Sequence, residues 1–584
     1  MLWRIRGVVL GLATVAVCAA PAGAITIYPI DRAQILAGSR FDLKVEFDGV
    51  VAVSDAKVSL DGKDLSSAVG RSATFVERED GVAASALILR DVSLTRPGRY
   101  AVVASDGKTS KTVQWEVYTT GPRKARNVIL FIGDGMAGAH RTAARILTAG
   151  IAEGRYHGGL AMDSMTNMAL VGTAGVDSII TDSANSASAY TTGHKSSVNA
   201  LGVYADRTPD TLDDPKVETL TSLIKRSRKM AVGVVTNTEV EDATPAAMVA
   251  HTRRRSDYDP IVGMFHASGV DVLMGGGAAH FLPKSSPGSR RKDEIDYIAK
   301  FRADGYAIAT TDREMKTATA DPATRKLLGL FHPGNMDGVL DRKFLMQGTV
   351  PSFPEQPDLV DMVRTALTVL SRNDDGFVLM VESGLIDKYS HPLDWERAVM
   401  DTIMLDRAVA VAKEFAGTRN DTLILVTADH AHGLALVGTV DDTIKSTEMR
   451  DKVGVHEKAG YPNYPPANGD GYPTRLDVSR RLAIFFAAFP DYYETYRPKG
   501  DGPFVPAVAG HDKAYVANEK YKDVPGAVLR PGNLPHNAPQ GVHSGEDVVL
   551  TASGPGAERV RGFLDNTEVF RIIVDALGLG AVAQ

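Results

Sequence analysis

The stretch Val128–Ile132 (VILFI) is an unbroken apolar run, and Gly133-Asp134-Gly135 follows it directly. Continuous runs of this kind suit strands that are buried on both faces of a parallel sheet. Similar runs occur at Met230–Val235, Val270–Met274, Phe377–Val381 and Leu423–Val426, and Leu359–Leu370 between them has the apolar spacing of an amphipathic helix. The alternation predicts a doubly wound, mostly parallel α/β sheet flanked by helices, with functional sites beyond the carboxyl ends of its strands.

Length and composition limit the classes of protein that this chain can represent. Its 584 residues exceed one compact core and fit two or more domains. A hydrophobic fraction of 44% and a charged fraction of 23% are globular values, so a wholly disordered or fibrous chain is excluded. The net charge of −6 argues against a broad nucleic-acid-binding surface, and a single Cys excludes a disulfide framework.

Residues 1–24 have the pattern of a secretory signal peptide. Arg4 and Arg6 precede the apolar segment Gly7–Ala20, and Ala22-Gly23-Ala24 resembles a cleavage site. Val17 stands before the lone Cys18, at a position where a lipoprotein signal needs a small residue, so the pattern argues against a lipid anchor at Cys18. No later run approaches about 20 apolar residues, so no membrane span is expected. We therefore expect an exported protein, periplasmic or secreted.

The remaining chain is expected to form two domains. In residues 25–120, Phe41, Leu43, Val45 and Phe47 alternate with Asp42, Lys44 and Glu46, which predicts a half-buried strand. More strands of this kind, separated by Gly-containing turns, predict an accessory β-sandwich of the immunoglobulin type. Residues 121–584 are expected to form the catalytic α/β domain. Within it, residues 433–540 are rich in Pro, Gly and Tyr and are interpreted as an insertion near the active site.

Acidic residues and imidazoles follow three of the predicted strands. Asp134 follows the first run, Glu382 ends another, and Asp429-His430 follow a third. One such acid is usually a helix cap, but three at one edge of a parallel sheet can surround divalent metals. Asp387 and His391 are four residues apart and share one face of a helical turn, a spacing that also occurs in weak surface pairs.

The segment Thr181–Ala189 combines Ser183 with small neighbours. A helix that starts at Ser183 would direct backbone N–H groups toward an anion, and the small side chains would let a phosphate approach. An ordinary Ser N-cap in a tightly packed helix is the alternative.

Taken together, these segments resemble the alkaline phosphatase family. The matching stretches occur in the order of that family, and they are Asn127–Met136, Thr181–Ser188, Glu241–Arg255, Asp271–Phe281, Val381–His391, Thr427–Gly433 and Val542–Val548.

The resemblance implies a site with two zinc ions and one magnesium ion beside the nucleophile Ser183. The implied ligands are Asp387, His391 and His543 for the first zinc, Asp134, Asp429 and His430 for the second, and Asp134, Thr244, Glu382 and, through water, Asp242 for magnesium. Lys388 resembles the partner of Asp242, and His432 resembles the residue that orients Asp387. Arg255 resembles the phosphate-binding Arg, which leaves Arg253 and Arg254 as solvated charges.

The implied activity is hydrolysis of phosphate monoesters through a phosphoserine intermediate, with an alkaline pH optimum. A phosphodiesterase of the same superfamily and a degenerate, non-catalytic binding protein are the alternatives. A sulfatase would need a Pro/Arg pattern that Ser183-Ala184-Asn185-Ser186 lacks. The natural ester is open, and so is the formation of a homodimer.

Overall fold

The computed structural model describes residues 25–441, 444–445, 448, 453–455, 464–476, 480–495 and 499–580. The predicted signal segment, residues 1–24, lies outside the described residues. Every helix in the described part of the chain is too short or too polar to cross a membrane.

Two sheets form the N-terminal region. The four-stranded sheet has the order β1 (Ile25–Tyr28), β3 (Arg40–Phe47), β7 (Ala86–Ser93) and β6 (Thr74–Val76). The five-stranded sheet has the order β2 (Gln34–Leu36), β9 (Ser110–Tyr118), β8 (Gly98–Ser105), β4 (Lys57–Leu60) and β5 (Lys63–Asp64), and the short helix α1 (Leu65–Val69) follows it. The sheets share one apolar core, which contains Trp115 and also Tyr204 and Val217 from beyond residue 120.

Strand β3 differs from the half-buried strand that its alternation predicts. Residues Phe41–Phe47 are all buried, including Lys44, which is 1% exposed. The face that carries the polar residues is covered by a later part of the chain: Asp42 N donates to Lys216 O at 2.7 Å, and Lys44 Nζ lies 2.5 Å from Asp206 Oδ2. The prediction was wrong because the covering segment is more than 160 residues away in sequence.

A ten-stranded sheet organises the rest of the described chain. Among these strands only β28 (Val548–Ser553) runs antiparallel to both of its neighbours, so the sheet is mostly parallel as predicted. Their spatial order is β16 (Ala307–Ala309), β17 (Leu327–Leu330), β15 (Val272–Gly276), β14 (Ala231–Glu239), β18 (Phe377–Ser383), β10 (Asn127–Gly133), β19 (Thr422–Thr427), β28 (Val548–Ser553), β13 (Asn167–Gly172) and β29 (Arg561–Asp565). Gly275 and Gly276 end strand β15.

Helices flank this sheet and bury their apolar faces in the same core as its strands. They are α2 (Gly138–Ala149), α3 (Ser183–Thr192), α4 (Leu220–Ser227), α5 (Ala243–Ala246), α6 (Tyr258–Ser268), α7 (Tyr297–Ala303), α8 (Asp312–Ala320), α9 (Leu359–Leu370), α10 (Leu385–Ser390), α11 (Trp395–Ala416) and α12 (Thr567–Leu577). Because β10 is hydrogen-bonded to β18 on one side and β19 on the other, the carboxyl ends of these three strands are neighbours.

The predicted insertion begins and ends at that same edge. Strands β20 (Ala431–His432) and β27 (His543–Ser544) pair with each other and hold the two ends of the insertion together. The described parts between them pair as β21 (Leu434–Asp441) with β22 (Arg480–Phe486), β23 (Tyr492–Glu494) with β26 (Val528–Arg530), and β24 (Ala507–Ala509) with β25 (Tyr515–Ala517). Two short strands, β11 (Ile151–Ala152) and β12 (Arg155–Tyr156), form a separate hairpin.

Candidate metal centre

Two groups of buried acids and imidazoles meet beyond the ends of β10, β18 and β19. We call them the Asp387 cluster (Asp387, His391, His432 and His543) and the Asp134 cluster (Asp134, Asp429 and His430). Within each cluster, one ligand atom from every member lies within 4.8 Å of the others. The rings of His430 and His543 stack at a centroid distance of 3.6 Å, so the two clusters are in contact.

The Asp387 cluster is assembled by a short helix and by the paired ends of the insertion. Asp387 lies on α10 and His391 caps its carboxyl end, so their spacing does place them on one face. Asp387 Oδ1 accepts from His432 Nε2 at 2.6 Å and lies 3.3 Å from His543 Nε2. Gly135 makes room for this contact, because a Cβ at that position would lie 2.5 Å from the His432 ring.

Backbone carbonyls orient two of these imidazoles. His543 Nδ1 donates to Thr181 O at 2.8 Å, and His391 Nδ1 donates to Gly541 O at 3.3 Å. With Nδ1 protonated, both rings present Nε2 toward Asp387 and toward each other, at an Nε2–Nε2 distance of 3.2 Å. A hydrogen bond from the second ring nitrogen is the usual way in which proteins fix a metal-binding imidazole.

The Asp134 cluster surrounds the hydroxyl of Ser183. Ser183 Oγ lies 3.2 Å from Asp134 Oδ2 and 3.3 Å from His430 Nε2. Ser183 is the first residue of α3, and the N-cap is Asp182, whose carboxylate accepts from Asn185 N at 3.1 Å. The sequence placed the serine at the start of a helix correctly but missed Asp182, although an acid before a run of small helical residues is a usual N-cap signal.

Burial shifts the pKa values of the acids and imidazoles in these clusters. Burial, followed by the charge of Asp429, raises the pKa of Asp134 well above its ordinary value. Burial also raises the pKa of Asp429 to about 6 and lowers the pKa of His430 well below its ordinary value. For Asp387, burial would raise the pKa, but His391 and the other imidazoles of its cluster hold it below the ordinary value.

Unsatisfied donor and acceptor atoms accompany these shifts. Asp429 Oδ2, His430 Nδ1 and the hydroxyl of Thr244 are buried and have no hydrogen-bond partner among the described residues. Buried polar atoms are normally satisfied, so such a group of atoms is what a site for divalent ions requires. Carboxylates and imidazoles are the ligands expected for zinc, and carboxylate and hydroxyl oxygens suit magnesium. The donor set therefore fits the metals that the sequence suggested.

Glu382 is close to these clusters but belongs to neither. It pairs in register with Ile132 of β10, and its carboxylate accepts hydrogen bonds from Thr236 and, at 3.1 Å, from Thr238 Oγ1. Burial raises the pKa of Glu382 to about 7. The sequence did not point to Thr236 or Thr238, because two threonines at the end of a strand have no distinctive pattern.

Two cations lie at the side of the centre and share one carboxylate. Asp242 Oδ1 accepts a hydrogen bond from Arg255 Nη2 at 2.8 Å, and Asp242 Oδ2 forms an ion pair with Lys388 Nζ at 2.7 Å. Arg255 Nη1 also lies 3.4 Å from Asp182 Oδ2. Although burial would raise the pKa of Asp242, Lys388 and Arg255 hold it below its ordinary value, so all three groups are charged.

The two arginines before Arg255 behave differently from each other. Arg254 is exposed, as expected for a solvated charge. Arg253 is not: its guanidinium donates to Asp206 O at 2.8 Å and to Thr208 O. The sequence interpretation of Arg253 was wrong because the segment that it contacts lies about 45 residues earlier in the chain.

The fold and the paired clusters define an α/β protein with a buried candidate metal centre, and comparison with known proteins specifies the family. A model of the alkaline phosphatase family matches residues 125–579. The alkaline phosphatase of Escherichia fergusonii is 34% identical over 349 residues, which cover 54% of this chain and 72% of that protein. The tissue-nonspecific alkaline phosphatase of Gallus gallus is 30% identical over 479 residues, which cover 75% of this chain and 82% of that protein.

Solved structures agree at the level of the fold. The crystal structure of Thermus thermophilus alkaline phosphatase matches with a TM-score of 0.55 at 23% identity, covering 80% of this chain and 93% of that one. The chain belongs to the alkaline phosphatase family, whose members are phosphomonoester hydrolases and depend on metals. The recognition made from the sequence is therefore confirmed.

Proposed function

We propose that this protein is an exported phosphomonoesterase that transfers the phosphoryl group of its substrate to Ser183. The observation that carries this proposal is the position of Ser183 Oγ, 3.2 Å from Asp134 Oδ2 and 3.3 Å from His430 Nε2, at the N-terminus of α3. A buried hydroxyl held by an acid and an imidazole at the positive end of a helix is suited to attack an anionic phosphate.

We assign two zinc ions and one magnesium ion to this centre. The first zinc would be held by Asp387, His391 and His543, the second by Asp134, Asp429 and His430, and magnesium by Asp134, Thr244, Glu382 and, through water, Asp242. When bound, these ions would neutralise negative charge on the phosphate and on the attacking and leaving oxygens. A variant of the TAB5 alkaline phosphatase has been solved with magnesium in its M3 site, which supports the third ion.

The chemical step assigned to the chain itself is a displacement at phosphorus. Ser183 Oγ loses its proton to water and forms a bond to phosphorus, the bond from phosphorus to the ester oxygen breaks, and the departing oxygen takes up a proton from water, which releases the alcohol. Water then cleaves the phosphoserine and regenerates the Ser183 hydroxyl with release of phosphate. His432, held at 2.6 Å from Asp387, would keep that carboxylate oriented throughout.

Arg255 would bind two phosphate oxygens at once, because a planar guanidinium matches that geometry and an ammonium group does not. Its contacts with Asp182 and Asp242 direct the guanidinium along the side of the centre that carries Ser183. Lys388 would balance the charge of Asp242 and approach the phosphate through water.

We further propose that residues 25–120 are an immunoglobulin-like accessory domain and that residues 121–584 are the catalytic domain, with residues 1–24 as a cleaved signal peptide. The accessory domain would support the phosphate-binding Arg255 through residues 199–217. Lys44 contacts Asp206, Arg253 donates to Asp206 O, and Arg255 N donates to Asn199 O at 2.8 Å. The insertion at residues 433–540 would lie near the centre, since the residues that flank it, His432 and His543, pair with each other and belong to the Asp387 cluster.

Initial rates with p-nitrophenyl phosphate and bis-p-nitrophenyl phosphate test the proposed substrate class. We expect the purified protein, supplied with Zn²⁺ and Mg²⁺, to prefer the monoester strongly, because Arg255 suits a phosphate with free oxygens. A strong preference for the diester would instead support the phosphodiesterase alternative.

A further inference from the structure

A third group of acids and an imidazole lies outside the centre around Ser183. We call it the Glu241 cluster; it consists of Glu239, Glu241 and His280, whose ligand atoms lie within 4.8 Å of one another. Glu239 is the last residue of β14, Glu241 follows two residues later, and His280 lies in the short turn after β15. No member belongs to the Asp387 or the Asp134 cluster.

Glu241 is the unusual member of this group. It is 0% exposed, and neither of its carboxylate oxygens has a hydrogen-bond partner among the described residues. Its Oε1 faces His280 Nε2 at 3.9 Å, so the carboxylate points into the cluster. The backbone leaves space for it: a Cβ on Gly277 would lie 2.1 Å from Glu241 Oε2, so only glycine fits there.

The cations near this group do not neutralise Glu241. Arg290 Nη1 pairs with Glu239 Oε1 at 3.0 Å, but its side chain is 59% exposed. Lys388 and Arg255 both pair with Asp242. An ionised carboxylate without hydrogen bonds or a counter-ion is costly to bury. The site needs either a proton or a cation.

We propose that Glu239, Glu241 and His280 bind a divalent transition-metal ion of the Mn²⁺ or Zn²⁺ type. Two carboxylates and one imidazole form a mixed oxygen and nitrogen donor set, which favours such ions over Ca²⁺ and Mg²⁺ with their preference for oxygen ligands. Glu239 and His280 are about one-tenth exposed, so an ion can enter and water can complete its coordination. This inference does not depend on the function proposed for Ser183.

Anomalous diffraction tests the site directly. Crystals of the full protein are soaked in MnCl₂, and data are collected above and below the manganese absorption edge. We expect an anomalous peak bounded by the side chains of Glu239, Glu241 and His280. Absence of a peak there, in crystals that show manganese elsewhere, overturns the proposal and leaves Glu241 as a protonated buried acid.

The metal content of the desalted protein distinguishes a site that retains its ion in solution from one that binds metal only at the high concentration of the crystal soak. We expect the double variant Glu241→Gln/His280→Ala to retain one metal equivalent fewer than the wild type. Glu79→Gln is the matched control, because Glu79 is also a buried acid but has Lys44 as its counter-ion at 2.8 Å. Equal metal content in the wild type and the double variant contradicts the proposal. If that variant does not fold, the anomalous measurement on the wild type decides alone.

Discussion

The carboxylates around Lys44 and those around Ser183 are buried to a similar degree, but they differ in the source of the neutralising cation. In the first group, which we call the Lys44 cluster (Lys44, Glu46, Glu79 and Asp206), Lys44 Nζ lies 2.5 Å from Asp206, 2.8 Å from Glu79 and 3.5 Å from Glu46. Although burial would lower the pKa of Lys44, its bonds to Asp206 and Glu79 raise it. The chain supplies this cation itself.

Around Ser183 the cationic side chains stand to one side. Arg255 and Lys388 pair with Asp242, whereas Asp134 and Asp429 have His430 and no Arg or Lys as an ion-pair partner among the described residues. The comparison indicates that a cluster of buried carboxylates stabilises the fold when it contains its own lysine, as the Lys44 cluster does. A cluster of buried carboxylates without a lysine, such as the Asp134 cluster, is suited to bind a metal ion. The predictions below test this difference.

Metal removal is expected to have the largest effect. Dialysis against a chelator should reduce phosphatase activity to the background rate, and Zn²⁺ with Mg²⁺ should restore it. Because imidazoles bind metals only when neutral and carboxylates only when ionised, removal should become easier as the pH falls. Metal analysis alongside initial rates checks this, and activity that persists in metal-free protein would contradict the assignment.

Ser183→Ala should lower kcat by several decades, equivalent to about 5 kcal/mol or more, since it removes the hydroxyl that is assigned as the acceptor of the phosphoryl group. Ser188→Ala on the same helix is the control, because its hydroxyl bonds to backbone atoms only: it donates to Ala200 O at 3.3 Å and accepts from Gly202 N at 3.0 Å. Full kinetic parameters for both variants are needed. Activity retained in Ser183→Ala would refute the nucleophile.

Lys44→Met should reduce the free energy of unfolding by about 3–5 kcal/mol, because it leaves Glu79 buried without a counter-ion and Asp206 with only Arg253, 4.0 Å away. Denaturant unfolding measures this. Arg71→Met is the control: its pair with Asp91 is exposed, and the expected loss is below about 1 kcal/mol. If both variants lost the same free energy of unfolding, the buried ion pairs of Lys44 would stabilise the fold no more than an exposed pair does, which would contradict the role given to the Lys44 cluster.

Arg255→Lys should lower kcat and weaken the inhibition by free phosphate, because an ammonium group cannot bind two phosphate oxygens at once. The expected loss in kcat/KM is equivalent to about 2–3 kcal/mol. Arg254→Lys is the control, since Arg254 is exposed. If only the Arg254 variant loses activity, the phosphate-binding residue has been assigned to the wrong arginine.

Much of the centre could be predicted because its residues follow local rules. Asp134, Glu382 and Asp429 each lie at or just beyond the end of an apolar run, and parallel pairing of β10 with β18 and β19 brings such ends together. Asp387 and His391 have helical spacing, and α10 realises it. The doubly wound, mostly parallel sheet follows from the same runs.

Other features depended on contacts between distant segments. Lys44 occupies a position that alternation assigns to solvent, yet residues 206–216 cover it. Arg253 has the sequence context of a surface charge but binds the backbone of Asp206 and Thr208. No local pattern identifies Glu241 as buried either, because its cavity is formed by Gly277 of a different strand connection.

By itself, the sequence determined the class of sheet, the family and a set of candidate donor residues, because strand burial, helical spacing and motif order are encoded locally. The tertiary structure alone decided which charged side chains are removed from water and which of them receive a partner. Desolvation and ion pairing depend on the segments that pack over a residue, and in this protein those segments lie far away along the chain.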